Sequence, residues 1–129
     1  MSNEEVAQEW FKVAQMDLSS AEYLRSMKPL PLEVICFHCQ QAVEKLLKGF
    51  LAFHGEPIQK THNLLSLNKL CLPFDASFQS IEKDCLKLTP YAIHVRYPFA
   101  IEIEESDMSS ALQSAKRIEA FVLEKVQIR

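Results

Sequence analysis

The stretch that decides the fold is LEVICFHCQQAVEKLLKGFLAFHG, residues 32–55. Its apolar residues recur every three or four positions, which is the period of an amphipathic α-helix. They include Ile35, Cys39, Ala42, Leu46 and Phe50. A proline precedes the stretch and a glycine closes it, and these are common start and stop signals of helices. We therefore predict one long helix over residues 32–54.

The same spacing recurs on both sides of this helix. It predicts a long helix over residues 4–27 and another from near Ser106 to Val126. Two short helices are expected between them, one capped by Thr61 or Asn63 and one beginning near Asp75 or Ser77. Residues 91–105 lack the helical pattern, so we predict that they form an ordered loop. Short connections favour antiparallel neighbours, so we predict an all-α, up-and-down four- or five-helix bundle forming a single domain over residues 1–129.

The amino-acid composition argues against several classes of protein. The chain has 129 residues, of which 48% are hydrophobic, and it contains only two glycines, which argues against disorder and against a turn-rich β fold. Its formal net charge of −3 argues against a protein that wraps nucleic acid with a generally basic surface. No apolar run approaches the roughly 18 residues of a membrane span, and the amino terminus lacks signal-peptide features. We expect a cytoplasmic protein with no membrane association.

Cys36 and Cys39 form a CxxC motif around His38, a pattern that also occurs in zinc sites. Here the motif lies inside a predicted helix, and no second close pair of ligands follows it. Cys71 and Cys85 are too far apart in sequence to form such a pair. We therefore predict that the four cysteines pack in the core and that the chain binds no metal ion or other cofactor.

One polar candidate is the strip Gln40, Gln41, Glu44, Lys45 and Lys48 on the predicted central helix. Residues three or four apart share a helix face, so Gln41–Lys45 and Glu44–Lys48 contacts are expected. Two interpretations remain open. The strip is either a solvated face, or Lys45 and Lys48 bind a phosphate or an acidic partner.

A second candidate segment contains His94, Arg96 and Tyr97, with Lys60 and His62 upstream. Histidine can accept a proton and arginine can stabilise a charged phosphorane, so the pair could cleave RNA without metal. The structural alternative is that Arg96 pairs with Glu102 or Glu104 and that His62 caps the third helix.

Taken in order, several segments resemble the HEPN domain family. The segments are Trp10 with the Ala14, Asp17, Leu18 and Ala21 stretch, FHCQQAVEKLLKGFLAFHG, KTHNLLSL and YAIHVRYP. The resemblance implies a helical bundle that forms a homodimer and partners a minimal nucleotidyltransferase in a toxin–antitoxin-like pair. It also implies nucleotide or RNA binding in some members. The Arg-Tyr-Pro triplet makes Arg96 the main site candidate, with Lys45, Lys48, Gln41, His62 and Tyr97 as ligand-binding residues.

The nuclease members of that family carry an arginine followed four to six residues later by a histidine. No such histidine follows Arg25, Arg96 or Arg117. The resemblance therefore implies a non-catalytic interaction or nucleotide-binding module that presents Arg96 beside Lys45 and Lys48. The alternatives are a metal-independent ribonuclease toxin using Arg96 and His94, and a purely structural dimeric scaffold.

Overall fold

The computed structural model describes residues 1–92 and 102–127, and all regular structure in these ranges is helical. The α-helices are α1 (Asn3–Leu24), α2 (Leu32–Phe53), α3 (Leu64–Cys71), α4 (Glu82–Leu88) and α5 (Glu105–Val126). Two 3₁₀ helices flank α4, at Ala76–Ile81 and Thr89–Ala92. The predicted all-α architecture of three long and two short helices is confirmed.

The helix ends follow from local capping chemistry. Ser2 Oγ accepts a hydrogen bond from the Glu5 amide, and the Glu5 carboxylate accepts one from the Ser2 amide, so a capping box opens α1. Asn63 rather than Thr61 caps α3. At α5 the N-cap is Glu104, whose amide donates to Asp107 Oδ2 at 2.9 Å, so the helix begins at Glu105, one residue before Ser106.

Two predicted boundaries need correction. The first helix ends at Leu24, about three residues before Met27, and Asp75 opens a 3₁₀ turn rather than the fourth α-helix. In each case a tighter turn extends the helical pattern, which residue periodicity does not distinguish from α-helix.

The central helix α2 packs against α1 along one side and against α3, α4 and α5 on others. A Cβ atom on Gly49 would lie 2.5 Å from a ring carbon of Phe11, so the glycine is what permits α1 to lie this close. Burial extends around most of α2, including Gln40, Glu44 and Lys48. None of the helices described combines the length and apolarity needed to cross a bilayer.

Candidate functional site

Three polar residues on α2, Gln40, Glu44 and Lys48, are four residues apart and form one stripe directed into the protein. All three are buried, and the Glu44 side chain is only 5% exposed. These three residues therefore do not form the solvated face that was one interpretation of the strip, whereas Gln41 and Lys45 are half-buried. Helical spacing predicts which residues share a face, but not whether another segment of the chain covers that face.

The Glu44 carboxylate is the centre of this buried cluster. Its Oε2 atom accepts from Lys48 Nζ at 3.0 Å, which confirms the predicted Glu44–Lys48 contact. The same oxygen lies 3.0 Å from His62 Nδ1. Gln40 Nε2 lies 3.5 Å from the other carboxylate oxygen and donates to the His62 carbonyl at 3.2 Å. The carboxylate thus joins the central helix to the loop that precedes α3.

His62 does not cap α3, because Asn63 occupies that position and the imidazole turns to Glu44. Its side chain is 72% exposed although its carboxylate partner is buried. With Nδ1 directed at Glu44, the Nε2 atom is the ring nitrogen left for a ligand. An imidazolium donates from both nitrogens, so it could hold Glu44 and an anionic oxygen at once.

Lys45 and Lys48 each lie at ion-pair distance from a carboxylate. Lys45 Nζ lies 2.6 Å from Asp17 Oδ2 on α1, and the other Asp17 oxygen lies 3.0 Å from His38 Nδ1. Lys48 Nζ also lies 5.9 Å from the centre of the Trp10 ring. Gln41 does not make the predicted contact with Lys45, because Gln41 Nε2 donates to Gln40 Oε1 at 2.8 Å. A ligand anion would have to compete with a carboxylate for either lysine.

A cavity of about 520 Å³ opens beside the Glu44 cluster. It is lined by Phe37, Gln41, Thr61, His62, Asn63, Thr89 and Ala92. Amide and hydroxyl groups can bind the polar edge of a ligand, and an aromatic side chain can pack against a flat ring. The volume falls within the range of small-molecule and cofactor sites. Two sequence-predicted residues, Gln41 and His62, are therefore brought together at one opening.

The remaining predicted site residues, His94, Arg96 and Tyr97, lie outside the described residues. The prediction that Arg96 lies beside Lys45 and Lys48 therefore also falls outside the described residues. In the sequence His94, Arg96 and Tyr97 come two, four and five positions after Ala92, which is the last of the described residues that line the cavity.

A second buried carboxylate, Asp84, joins α4 to α5 and was not predicted from the sequence. Asp84 accepts from Ser114 Oγ at 2.8 Å and from Arg117 Nε and Nη2 at 3.0 and 2.9 Å. Burial alone would raise the pKa of the Asp84 carboxyl, but the bonds from Arg117 and Ser114 outweigh it and lower that pKa. The residues involved are 30 or more positions apart, so no local pattern indicates the contact.

Cys36 and Cys39 lie within the uninterrupted helix α2, as predicted, and all four cysteines are buried free thiols. Burial is the main reason that the pKa of each thiol rises to about 12. At neutral pH these groups are protonated and behave as small apolar side chains. Among the residues that the structure describes, no three His, Cys, Asp or Glu side chains are grouped to hold a metal ion.

The profile of the HEPN domain matches residues 7–126 of the chain. Among solved structures, TT1696 from Thermus thermophilus superposes with a TM-score of 0.80 at 29% sequence identity, covering 92% of this chain and 97% of that one. ST0689, described as an archaeal HEPN homologue, gives a TM-score of 0.72 at 28% identity, with 95% and 98% coverage. No curated protein matches the chain in sequence.

Proposed function

We propose, since this chain belongs to the HEPN domain family, that it is a non-catalytic, nucleotide-binding interaction module. In this proposal the chain forms a homodimer and partners a minimal nucleotidyltransferase in a toxin–antitoxin-like pair. The family resemblance is the basis for the dimer and for the partner. The nucleotide site is argued from the cavity beside Glu44.

The observation that carries the nucleotide site is the exposed imidazole of His62, held by a buried carboxylate at the edge of the cavity. An imidazolium fixed in this way can bind a phosphate oxygen through Nε2. Phe37 and the Gln41 amide line the same cavity and supply an aromatic surface and a hydrogen-bonding edge for the base. The lysines are weaker candidates for the phosphate, because Asp17 and Glu44 already pair with them.

The test is isothermal titration calorimetry with ATP, GTP and a short RNA, each added to the whole chain. We expect one of the three to bind and His62→Ala to weaken its binding by about tenfold or more, since a hydrogen bond to a charged group contributes about 1.5–3 kcal/mol. Gln113→Ala, an exposed change on α5, is the control and should leave the affinity unchanged. Absence of heat with all three ligands would overturn the nucleotide site.

The same RNA distinguishes the non-catalytic module from a ribonuclease toxin. We expect the RNA to be recovered intact after incubation and growth to be unaffected by expression of the chain. Cleavage that is lost in Arg96→Ala would establish the ribonuclease alternative instead.

The partner is tested by co-expression with the product of the adjacent reading frame. We expect a nucleotidyltransferase that co-purifies with this chain at a fixed ratio. A neighbouring gene of another class, or a transferase that elutes separately, would overturn this part of the proposal.

A further inference from the structure

A second cavity, of about 260 Å³, lies between α1, α2 and the loop that follows α2, and we call it the Trp10 cavity. Its lining includes Asn3, Val6, Trp10, Lys48, Glu56 and Ile58. Among the residues that the structure describes, it shares no lining residue with the cavity beside Glu44. A ligand bound in the Trp10 cavity would therefore be distinct from the nucleotide proposed to bind at His62.

Gly55 holds the loop close to the start of α1 and so forms one wall of the Trp10 cavity. Its φ of +79° lies in the left-handed region that favours glycine. Its amide donates to the Ala52 carbonyl at 2.9 Å, and the Glu56 amide donates to the Leu51 carbonyl at 3.0 Å. A Cβ atom on Gly55 would lie 3.0 Å from Asn3 Nδ2, so the glycine permits this close approach. The cavity is thus formed by the fold itself, as is usual for binding sites of small molecules.

The polar feature of the Trp10 cavity is the Lys48 ammonium. Lys48 is only 8% exposed, and its Nζ atom lies 5.9 Å from the centre of the Trp10 ring. Within the described ranges of the chain, Glu44 Oε2 is the one acceptor to which Nζ donates a hydrogen bond. An ammonium has three N–H groups, so two of them remain for another acceptor. Because a buried donor without a partner is costly, a ligand that supplies an acceptor is stabilised here.

A ligand anion competes with Glu44 for Lys48, and His62 weakens that competition. The Glu44 Oε2 atom that accepts from Lys48 also lies 3.0 Å from His62 Nδ1. When His62 is protonated, two cations face one carboxylate, so the three groups together carry a net positive charge. The Glu56 carboxylate at the same cavity opposes an anion, but it is exposed, and water and salt screen an exposed charge more strongly than a buried one. The charges therefore favour an anionic acceptor at Lys48.

The size of the Trp10 cavity and its apolar walls define the rest of the ligand. A cavity of about 150 Å³ holds benzene, so at the same density 260 Å³ holds about ten non-hydrogen atoms, far fewer than a nucleotide contains. Val6 and Ile58 supply apolar contacts, and an aromatic ring packs favourably against the indole of Trp10. We infer that the Trp10 cavity binds a small aromatic carboxylate, with the carboxylate on Lys48 and the ring beside Trp10. The Asn3 carboxamide supplies a second hydrogen bond to the carboxylate.

The first test is a titration of the whole chain with phenylacetate, a carboxylate of the size that fits the cavity. Trp10 is the only tryptophan in the sequence, so tryptophan fluorescence reports on this cavity directly. We expect a saturable change in that fluorescence. Phenylacetamide has nearly the same shape but no charge, and it should bind about tenfold more weakly or worse, because hydrogen bonds to a charged group are the stronger ones.

Asn3→Asp tests where the ligand binds without disturbing the Glu44–Lys48 pair. It removes the carboxamide donor and adds a carboxylate to the cavity, while an acidic side chain in the first turn of α1 is favourable for the helix. We expect phenylacetate to bind this variant about tenfold more weakly or worse, with folding checked by circular dichroism. Gln113→Glu, which adds the same charge at an exposed position on α5, is the matched control and should bind as the wild type does.

Two further variants test the charges. Glu56→Gln removes the opposing carboxylate and should strengthen phenylacetate binding by about two- to threefold. Lys48→Met combined with Glu44→Gln removes both charges of the buried pair, so no unpaired charge remains in the fold. This double variant should lose the preference for phenylacetate over phenylacetamide.

Each part of the inference can fail separately. Fluorescence that does not respond to phenylacetate would overturn the site, and equal binding of the acid and the amide would overturn the anionic ligand. Unchanged binding in Asn3→Asp would mean that the ligand does not occupy the Trp10 cavity. None of these results depends on the nucleotide site, which calorimetry tests independently.

Discussion

Glu44 and Asp84 are both buried carboxylates, and different partners stabilise the two negative charges. Asp84 is held by two nitrogens of Arg117 and by Ser114, which together link α4 to α5. Glu44 is held by Lys48 on its own helix and by His62, a residue at the edge of a cavity. Arg117 places two of its five N–H groups on Asp84, whereas His62 lines the cavity and keeps its second ring nitrogen for a ligand. We interpret Asp84 as structural and Glu44 as part of a site.

The largest loss of stability is expected for Glu44→Ala. This change leaves the Lys48 ammonium buried without its carboxylate, and removal of one partner from a buried ion pair costs about 3–5 kcal/mol. Urea denaturation at neutral pH should show this loss in the free energy of unfolding. Glu44→Gln keeps a hydrogen-bond acceptor in place and should lose less. Equal, small losses for both variants would mean that the buried carboxylate is not essential to the fold.

An intermediate loss of stability, which depends on pH, is expected for Asp84→Asn. The folded-state pKa of Asp84 is lowered, so its carboxylate stabilises the fold at pH values above the unfolded pKa of about 4. That contribution is lost as the pH falls through the folded-state pKa. The difference in unfolding free energy between wild type and Asp84→Asn should therefore be constant from pH 7 to pH 5 and shrink below about pH 4.

An exposed carboxylate provides the control for this titration. Glu124→Gln on α5 removes an exposed carboxylate and serves as the matched control for the loss of one negative charge. If the Asp84→Asn difference stayed constant down to about pH 2, the Arg117 and Ser114 bonds would not be lowering the pKa of Asp84.

The smallest loss of stability is expected for Lys45→Ala. The Lys45 side chain is 21% exposed, and Asp17 keeps His38 as a second partner. Loss of such a partly exposed pair should cost about 1 kcal/mol or less, measured by the same denaturation. A loss as large as that of Glu44→Ala would show that the Asp17 cluster, rather than the Glu44 cluster, is the main polar contact of α2.

The sequence predicts the helices well because each leaves a local periodic signal. It also predicts the Glu44–Lys48 contact, since residues four apart share a helix face. It does not predict the His62 contact, because Glu44 and His62 are 18 residues apart and meet only after the loop folds back over α2. Asp17 and Lys45 are 28 residues apart, and their contact also depends on helix packing. The sequence shows which of these side chains are charged or polar. Which of them pair with each other depends on how the helices and loops pack.

Lys48 connects the packing of α1 to the cavity beside Glu44. Its ammonium lies 5.9 Å from the centre of the Trp10 ring on α1, and it shares the Oε2 atom of Glu44 with His62. The orientation of the imidazole at that cavity and the position of a cation beside α1 therefore depend on the same carboxylate oxygen.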